Sequence, residues 1–274
     1  MNRLIFATIL HIAFVNLCTG QNIYDFEHSL EYAKNLSVTG KHQLAALEYE
    51  RISYFYPQND SILYLLMRSY RRSKQHHAGI DYVEQHYDPS AISAQIANEY
   101  ATFLLLNRDY KKLGQMLNDN SHLSDNNKEL LTFQSLLMLN RWEDAGNRFS
   151  QYDSSGISSF SRYCLILDKG LEFKKKRAGI ALGLSLVPGM GKVYTKNAKD
   201  GLVSLFVVGI TSFLSYRGFS QKGIESGPGW VYGSLCLGFY VGNLYGSYRS
   251  AKIYNTKFHE SINNELEDII ADDN

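Results

Sequence analysis

At 274 residues the chain has room for one large or two modest domains, and its formal net charge of +1 argues against wholesale phosphate contact, hence against nucleic acid as a partner. Its three cysteines, Cys18, Cys164 and Cys236, are too few for a disulfide framework or a metal cluster and read as small apolar side chains. With four prolines and long runs rich in Leu, Ala, Tyr, Glu, Lys and Gln, the fold class is all-α.

In chain order, the first element is LIFATILHIAFVNLCTG behind Arg3, an apolar run that ends in small residues before Gln21. This is the build of a secretory signal peptide over 1–20, with cleavage after Gly20. An uncleaved signal anchor is the alternative, and acylation of Cys18 a further one that bulky Leu17 disfavours.

A helical repeat domain is expected over 22–173, and internal repetition is visible from about Phe26 to Phe149. Its clearest unit runs from Glu31 to Pro57. It resembles the tetratricopeptide repeat, which implies Ala33 where the first helix meets its partner, Gly40 near the turn, Ala45 at a close helix-helix contact, Tyr49 as the large core residue and Pro57 ending the second helix. Small Ala45 lets two antiparallel helices approach, and Pro57 lacks the N–H donor needed to extend the helix. The small-then-large pair returns at Ala78 with Tyr82, at Leu113 with Leu117 and at Ala145 with Phe149, roughly every 32 to 35 residues. This pattern resembles the tetratricopeptide repeat, which implies a solenoid of helix pairs whose concave surface takes a peptide or a partner helix. Tyr70, Arg71, Arg72 and Tyr100 are candidates to line that surface. A further helix over about Ser158 to Phe173 carries Phe160, Tyr163, Cys164, Leu167 and Leu171 on one stripe and is expected to cap the array.

From 174 the composition changes. After Lys174-Lys175-Lys176-Arg177 come AGIALGLSLVPGMG, then GLVSLFVVGITSFLSY, then GPGWVYGSLCLGFYVGNLYGSY, giving a glycine-rich membrane domain over 174–254 with two or three membrane helices. The first of the three is short and broken by Pro188, so it crosses obliquely, re-enters or lies at the interface. Pro188, Gly189, Gly191 and Tyr194, with downstream Gly201, resemble the Pro-Gly-x-Gly-Gln-x-Tyr signature of small bacterial membrane-hairpin domains. Here Lys192 stands where the signature has Gln, and Lys196 where it has a later glycine. The resemblance implies a fold and a membrane location, with no reaction attached. Physically, proline ends the apolar segment, the glycines permit a tight turn and Tyr194 anchors at the interface, so the motif shapes a bend. Gly238, Gly242 and Gly246 form a smooth stripe for close helix packing, either against Gly179 and Gly183 or against a second copy of the chain. An acidic tail over 255–274 is expected to be a frayed amphipathic helix end, with Leu266, Ile269 and Ile270 as its sticky residues.

Topology is read two ways. The signal peptide exports the repeats, whereas two crossings alone would gather the basic residues at 174–177, 192, 196, 199, 249, 252 and 257 on one side, which the positive-inside rule makes cytoplasmic. His76, His77 and His86 have no metal-ligand spacing, and PGMGK lacks the frame of a phosphate loop. The chain is therefore expected to be no enzyme and to need no cofactor. The expected function is a membrane-anchored scaffold whose repeats bind a protein partner at the cell envelope, in contact with membrane lipid. The alternative is an oligomeric pore or translocation aid built from the glycine-rich helices.

Overall fold

A computed structural model describes residues 25–57, 59–89, 91–119, 122–149 and 159–272. The expected signal peptide, with Cys18 and Gln21, lies outside the described residues. Those described fold into helices without a strand and divide into two compact units, 1–135 and 136–274.

In the first unit, helices α1 (Phe26–Val38) to α6 (Tyr110–Asp119) alternate with tight turns: α2 is His42–Phe55, α3 Asp60–Arg72, α4 His76–His86 and α5 Ala94–Leu106. Asp25 and Asn59 cap the starts of α1 and α3 by accepting from backbone N–H groups one turn on. Consecutive helices pack on one another, and α3 also packs on α5. Every second turn is the same object. Gly40, Lys74 and Arg108 stand in the left-handed region at φ +76°, +59° and +62°. In each, the following N–H reaches back five residues to a helix carbonyl, as from Lys41 to Leu36 at 2.9 Å, Gln75 to Tyr70 at 2.9 Å and Asp109 to Leu104 at 2.9 Å. This is a two-bond C-cap that closes one helix and aims the next back along it.

Helix α7 (Asp125–Met138) contains the division between the units. The turn after it repeats the device at Asn140, φ +59°, with Arg141 N–H on the Leu136 carbonyl at 2.9 Å. Left-handed residues at 40, 74, 108 and 140 thus recur every 34, 34 and 32 residues. The residue five places later is buried each time: Ala45, Gly79, Leu113 and Ala145.

That register corrects one expectation. The close-contact residue of the second pair is Gly79, where a Cβ would run into the Phe103 ring, and Ala78 is half-buried beside it. With Ala78 and Gly79 adjacent and both small, sequence alone favoured the wrong one. Tyr82 instead hydrogen-bonds Ser53 through its hydroxyl at 2.6 Å and stacks on His86 at 4.3 Å. Ala33 and Tyr49 are fully buried as expected.

In the second unit, α8 (Trp142–Phe149) packs on α9 (Phe160–Glu172), where Gly170 lies against the Trp142 rings and Phe149 stacks on Phe160 at 4.7 Å. Then come the short α10 (Ala178–Leu184) and α11 (Met190–Tyr194), the long α12 (Ala198–Lys222) and α13, which runs unbroken from Gly227 to Asp272. The acidic tail is therefore not separate: it forms the last turns of α13 and buries Leu266, Ile269 and Ile270. Their spacing of three and four residues makes an apolar stripe, which packs against α9 and is held at its edge by Lys169 and Glu265 at 2.8 Å.

Helix α12 and the one-turn extension after it, Ala198–Glu225, are long and apolar enough to cross a membrane, the single such stretch among the described residues. Leu202, Val203, Phe206, Ile210 and Phe213 point outward rather than into a core. The facing stretch of α13 shows Trp230, Leu237, Phe239 and Val241 outward but is diluted by glycine, serine, tyrosine and asparagine.

Candidate functional site

The Pro188–Tyr194 segment lies at the meeting point of four helices of the second unit. Helix α10 runs against α13 and ends in a turn at Pro188-Gly189; α11 returns antiparallel to α10. Two contacts fix its entry and exit side by side. Asn255 clamps the Lys176 backbone with two bonds of 2.9 Å, and the Tyr194 hydroxyl accepts from the Arg177 N–H at 3.3 Å while Lys176 Nζ stands 4.5 Å above the Tyr194 ring. The deepest part of the loop lies beside Tyr240, whose hydroxyl donates to the Leu186 carbonyl at 3.1 Å. Residues 176 to 194 thus form a hairpin whose two ends lie side by side.

At the turn, buried Asn243 bridges both strands of the loop: its Oδ1 accepts from the Gly189 N–H at 3.0 Å and its Nδ2 donates to the Ser185 carbonyl at 3.0 Å. A side-chain amide is the one group that can supply a donor and an acceptor at this spacing without charge. Gly189 has φ +87°, and a Cβ there would strike the Gly201 carbonyl; a Cβ on Gly201 would come within 2.8 Å of the Gly189 carbonyl. Gly191 is packed against the Ala181 carbonyl, the Ser185 hydroxyl and Ser247. The structure therefore brings Gly189, Gly191 and Gly201 together, with Tyr194 at the hairpin's open end and Pro188 beside the turn. Asn243 and Asn255 were not singled out in the sequence; two asparagines within a glycine-rich helix were the signal that could have found them.

The glycine stripe behaves differently. Nothing lies within 4 Å of a Cβ placed on Gly238, Gly242, Gly179 or Gly183, and only Gly246 approaches another segment, the Lys192 side chain. The seam between α10 and α13 is instead made by Ala181, Ser185, Asn243 and Ser247, so the two glycine faces do not meet within the chain. Lys192, in the place of the signature's glutamine, donates to Ser204 Oγ at 2.8 Å and so links α11 to α12.

In the first unit, the largest buried polar feature is Arg71 with Glu99, 3.0 Å apart and each nearly inaccessible. Burial pushes the Glu99 carboxyl up, opposed by Arg71, Arg68 and Arg72. Tyr70 and Tyr100 are buried as well, their hydroxyls donating to Glu50 at 3.1 Å and Glu84 at 2.8 Å, so of the four candidates for an exposed binding face only Arg72 is exposed. No group of His, Cys, Asp and Glu suited to a metal ion occurs among the described residues. No family model matches the chain, and comparison with curated proteins and with solved structures finds no match either.

Proposed function

We propose that the protein is a membrane-anchored scaffold of the cell envelope, in which a tetratricopeptide-like array presents a docking surface and the glycine-rich hairpin domain fixes it to a bilayer. The observation that carries this reading is the pairing, in one chain, of helix turns repeated at near-constant spacing with a helix whose apolar side chains face outward. A stretch of that length exposed to water would be strongly unfavourable, whereas in hydrocarbon it is the preferred arrangement. Regular helix pairs in turn leave a ladder of side chains on one face that no neighbouring pair covers.

In this reading α12 and the first half of α13 cross the bilayer, α10 and α11 re-enter, and 174–177, 192, 196, 199, 249, 252 and 257 lie toward one side. The apolar run LIFATILHIAFVNL is taken in this reading as an export signal that dominates orientation, so the repeats are exported.

Two measurements test the reading. Proteins crosslinked in membranes to the full chain should be absent when residues 25–119 are deleted; identical captures would overturn the scaffold role. Cysteine introduced at exposed Asn126, in a chain lacking its native cysteines, should react with a membrane-impermeant maleimide without lysis of the inner membrane. Labelling that required such lysis would make it a cytoplasmic adaptor.

A further inference from the structure

Three contacts set the level at which the chain enters and leaves the hairpin domain: Asn255 on the Lys176 backbone, Tyr194 on the Arg177 N–H, and the Thr195 hydroxyl against that of Ser250 at 2.6 Å. Residues 174–200 and 249–257, which meet there, hold ten lysines and arginines against one acid, Asp200. Asp200 already accepts from Asn197 at 2.7 Å. The opposite end of α12 is nearly balanced, with Arg217, Lys222 and Glu225 as the charged residues of 217–226. Positive charge is therefore gathered at one end of the domain.

Two of these cations are held in place. Asn255 fixes the Lys176 backbone, and Lys176 Nζ stands 4.5 Å from the Tyr194 ring centroid and 5.9 Å from that of Tyr254. Lys196 Nζ reaches the same Tyr254 ring, at 6.0 Å. The ring faces attract both ammonium groups, but two like charges drawn to one ring also repel each other. Neither lysine is in an ion pair among the described residues. An anion between them would remove a repulsion that the ring leaves in place. Lys192 differs, since its ammonium is committed to Ser204.

We propose that this end of the domain binds the headgroup of an anionic phospholipid, its phosphate held by Lys176 and Lys196 beside Tyr254 and its acyl chains lying on the outward side chains of α12. This rests on the membrane reading and specifies which lipid the domain selects. A lipid is favoured over a soluble phosphate because the charge runs straight into an apolar surface. Outward Leu202, Val203 and Phe206 begin within one turn of Lys199. Helix α12 has 25 residues, roughly 37 Å at 1.5 Å per residue, against a hydrocarbon core of about 30 Å. When its apolar stretch fills the core, Lys196 and Lys199 stand at headgroup level, where tyrosine rings also settle.

The test uses the full chain in a mild non-ionic detergent and two lipids carrying the same fluorescent acyl chain, phosphatidylglycerol and zwitterionic phosphatidylcholine, read by anisotropy. Phosphatidylglycerol should bind at least about tenfold more tightly, and the preference should shrink as salt is raised. Lys176→Gln with Lys196→Gln should remove the preference with the helical circular dichroism unchanged. Lys176→Arg with Lys196→Arg should keep it, and so should Arg217→Gln with Lys222→Gln at the opposite end. Equal affinity for the two lipids, an unaltered preference in the glutamine pair or its loss in the arginine pair overturns the proposal. So does displacement of phosphatidylglycerol by an equal concentration of glycerol 1-phosphate, which would mark a site for soluble phosphate. Carbonate-resistant association with vesicles of phosphatidylcholine alone tests the membrane reading separately. A chain that carbonate extracts, yet prefers phosphatidylglycerol in detergent, fails that reading and keeps the headgroup site; one that stays inserted without the preference does the reverse.

Discussion

The two units of this chain turn their backbones in the same left-handed region and pay for it differently. In the first, the turn residues are Gly40, Lys74 and Arg108, so a lysine and an arginine occupy a conformation that glycine adopts without penalty. They are tolerated because the turn faces water: both side chains are exposed, and Gly40 itself has nothing within 4 Å of where a Cβ would be. In the second unit, Gly189 takes the same sign of φ inside a packed contact, with the Gly201 backbone where its side chain would go. A left-handed turn is thus cheap to decorate at a surface and closed to any side chain in a glycine seam. The turns between helix pairs can therefore take many residue types while the glycine hairpin cannot.

The largest effect expected from this contrast is at Gly189. Gly189→Ala combines left-handed strain of about 1–2 kcal/mol with an overpacking cost of about 1–3 kcal/mol against Gly201, roughly 3 kcal/mol in sum. Protein in detergent should show an early loss of the hairpin by limited proteolysis between α10 and α12. If Gly189→Ala were as protease-resistant as the parent, the seam would be loose and the contrast between the two turns void.

Next is Asn243. Asn243→Leu keeps the volume but strands the Gly189 N–H and the Ser185 carbonyl, two buried groups worth about 1–3 kcal/mol each when unpaired. A loss of roughly 2–4 kcal/mol in chemical unfolding is expected. Asn243→Asp should recover little, because it restores an acceptor for Gly189 while turning an acceptor toward the Ser185 carbonyl. Full stability in Asn243→Asp would mean that the clamp works through one bond only.

How far these features could be read from sequence follows the same division. The repeat period was legible because the small-then-large pair at Ala45 with Tyr49 returns at Ala145 with Phe149, three repeats on. The slip at Ala78 came from two small residues side by side, a choice that only the position of the Phe103 ring decides. Within the glycine-rich unit, Gly189, Gly191 and Gly201 were marked by their spacing. Gly238 and Gly242 were marked by a spacing just as regular, yet they face outward. Periodicity shows that a smooth face exists; the partner that covers it depends on long-range contacts such as that of Asn243 with Ser185, 58 residues away. At the C-terminal end, Leu266, Ile269 and Ile270 could be picked out as the apolar side of a helix, but that α9 covers them depends on the same kind of long-range contact.

The smallest effect, and of opposite sign, belongs to the exposed turns. Lys74→Gly and Arg108→Gly each relieve left-handed strain of about 1–2 kcal/mol, against which glycine's extra freedom in the unfolded chain costs roughly 0.5–1 kcal/mol. Surface ion pairs of either side chain are worth at most about 1 kcal/mol and usually less. A net gain of roughly 0.5 kcal/mol per turn is therefore expected, and because the two turns are 34 residues apart the gains should add in the double variant. Asn140 is the informative control. Its φ is the same, but its side-chain oxygen meets His259 Nδ1 at 2.7 Å, so Asn140→Gly trades strain for a lost hydrogen bond and should come out near zero or destabilising. Urea unfolding followed by helical circular dichroism would order the three. A destabilised Lys74→Gly with a stabilised Asn140→Gly would show that turn side chains hold the helix pairs together more than backbone conformation does, and the distinction between the open and the closed turn would then rest on Gly189 alone.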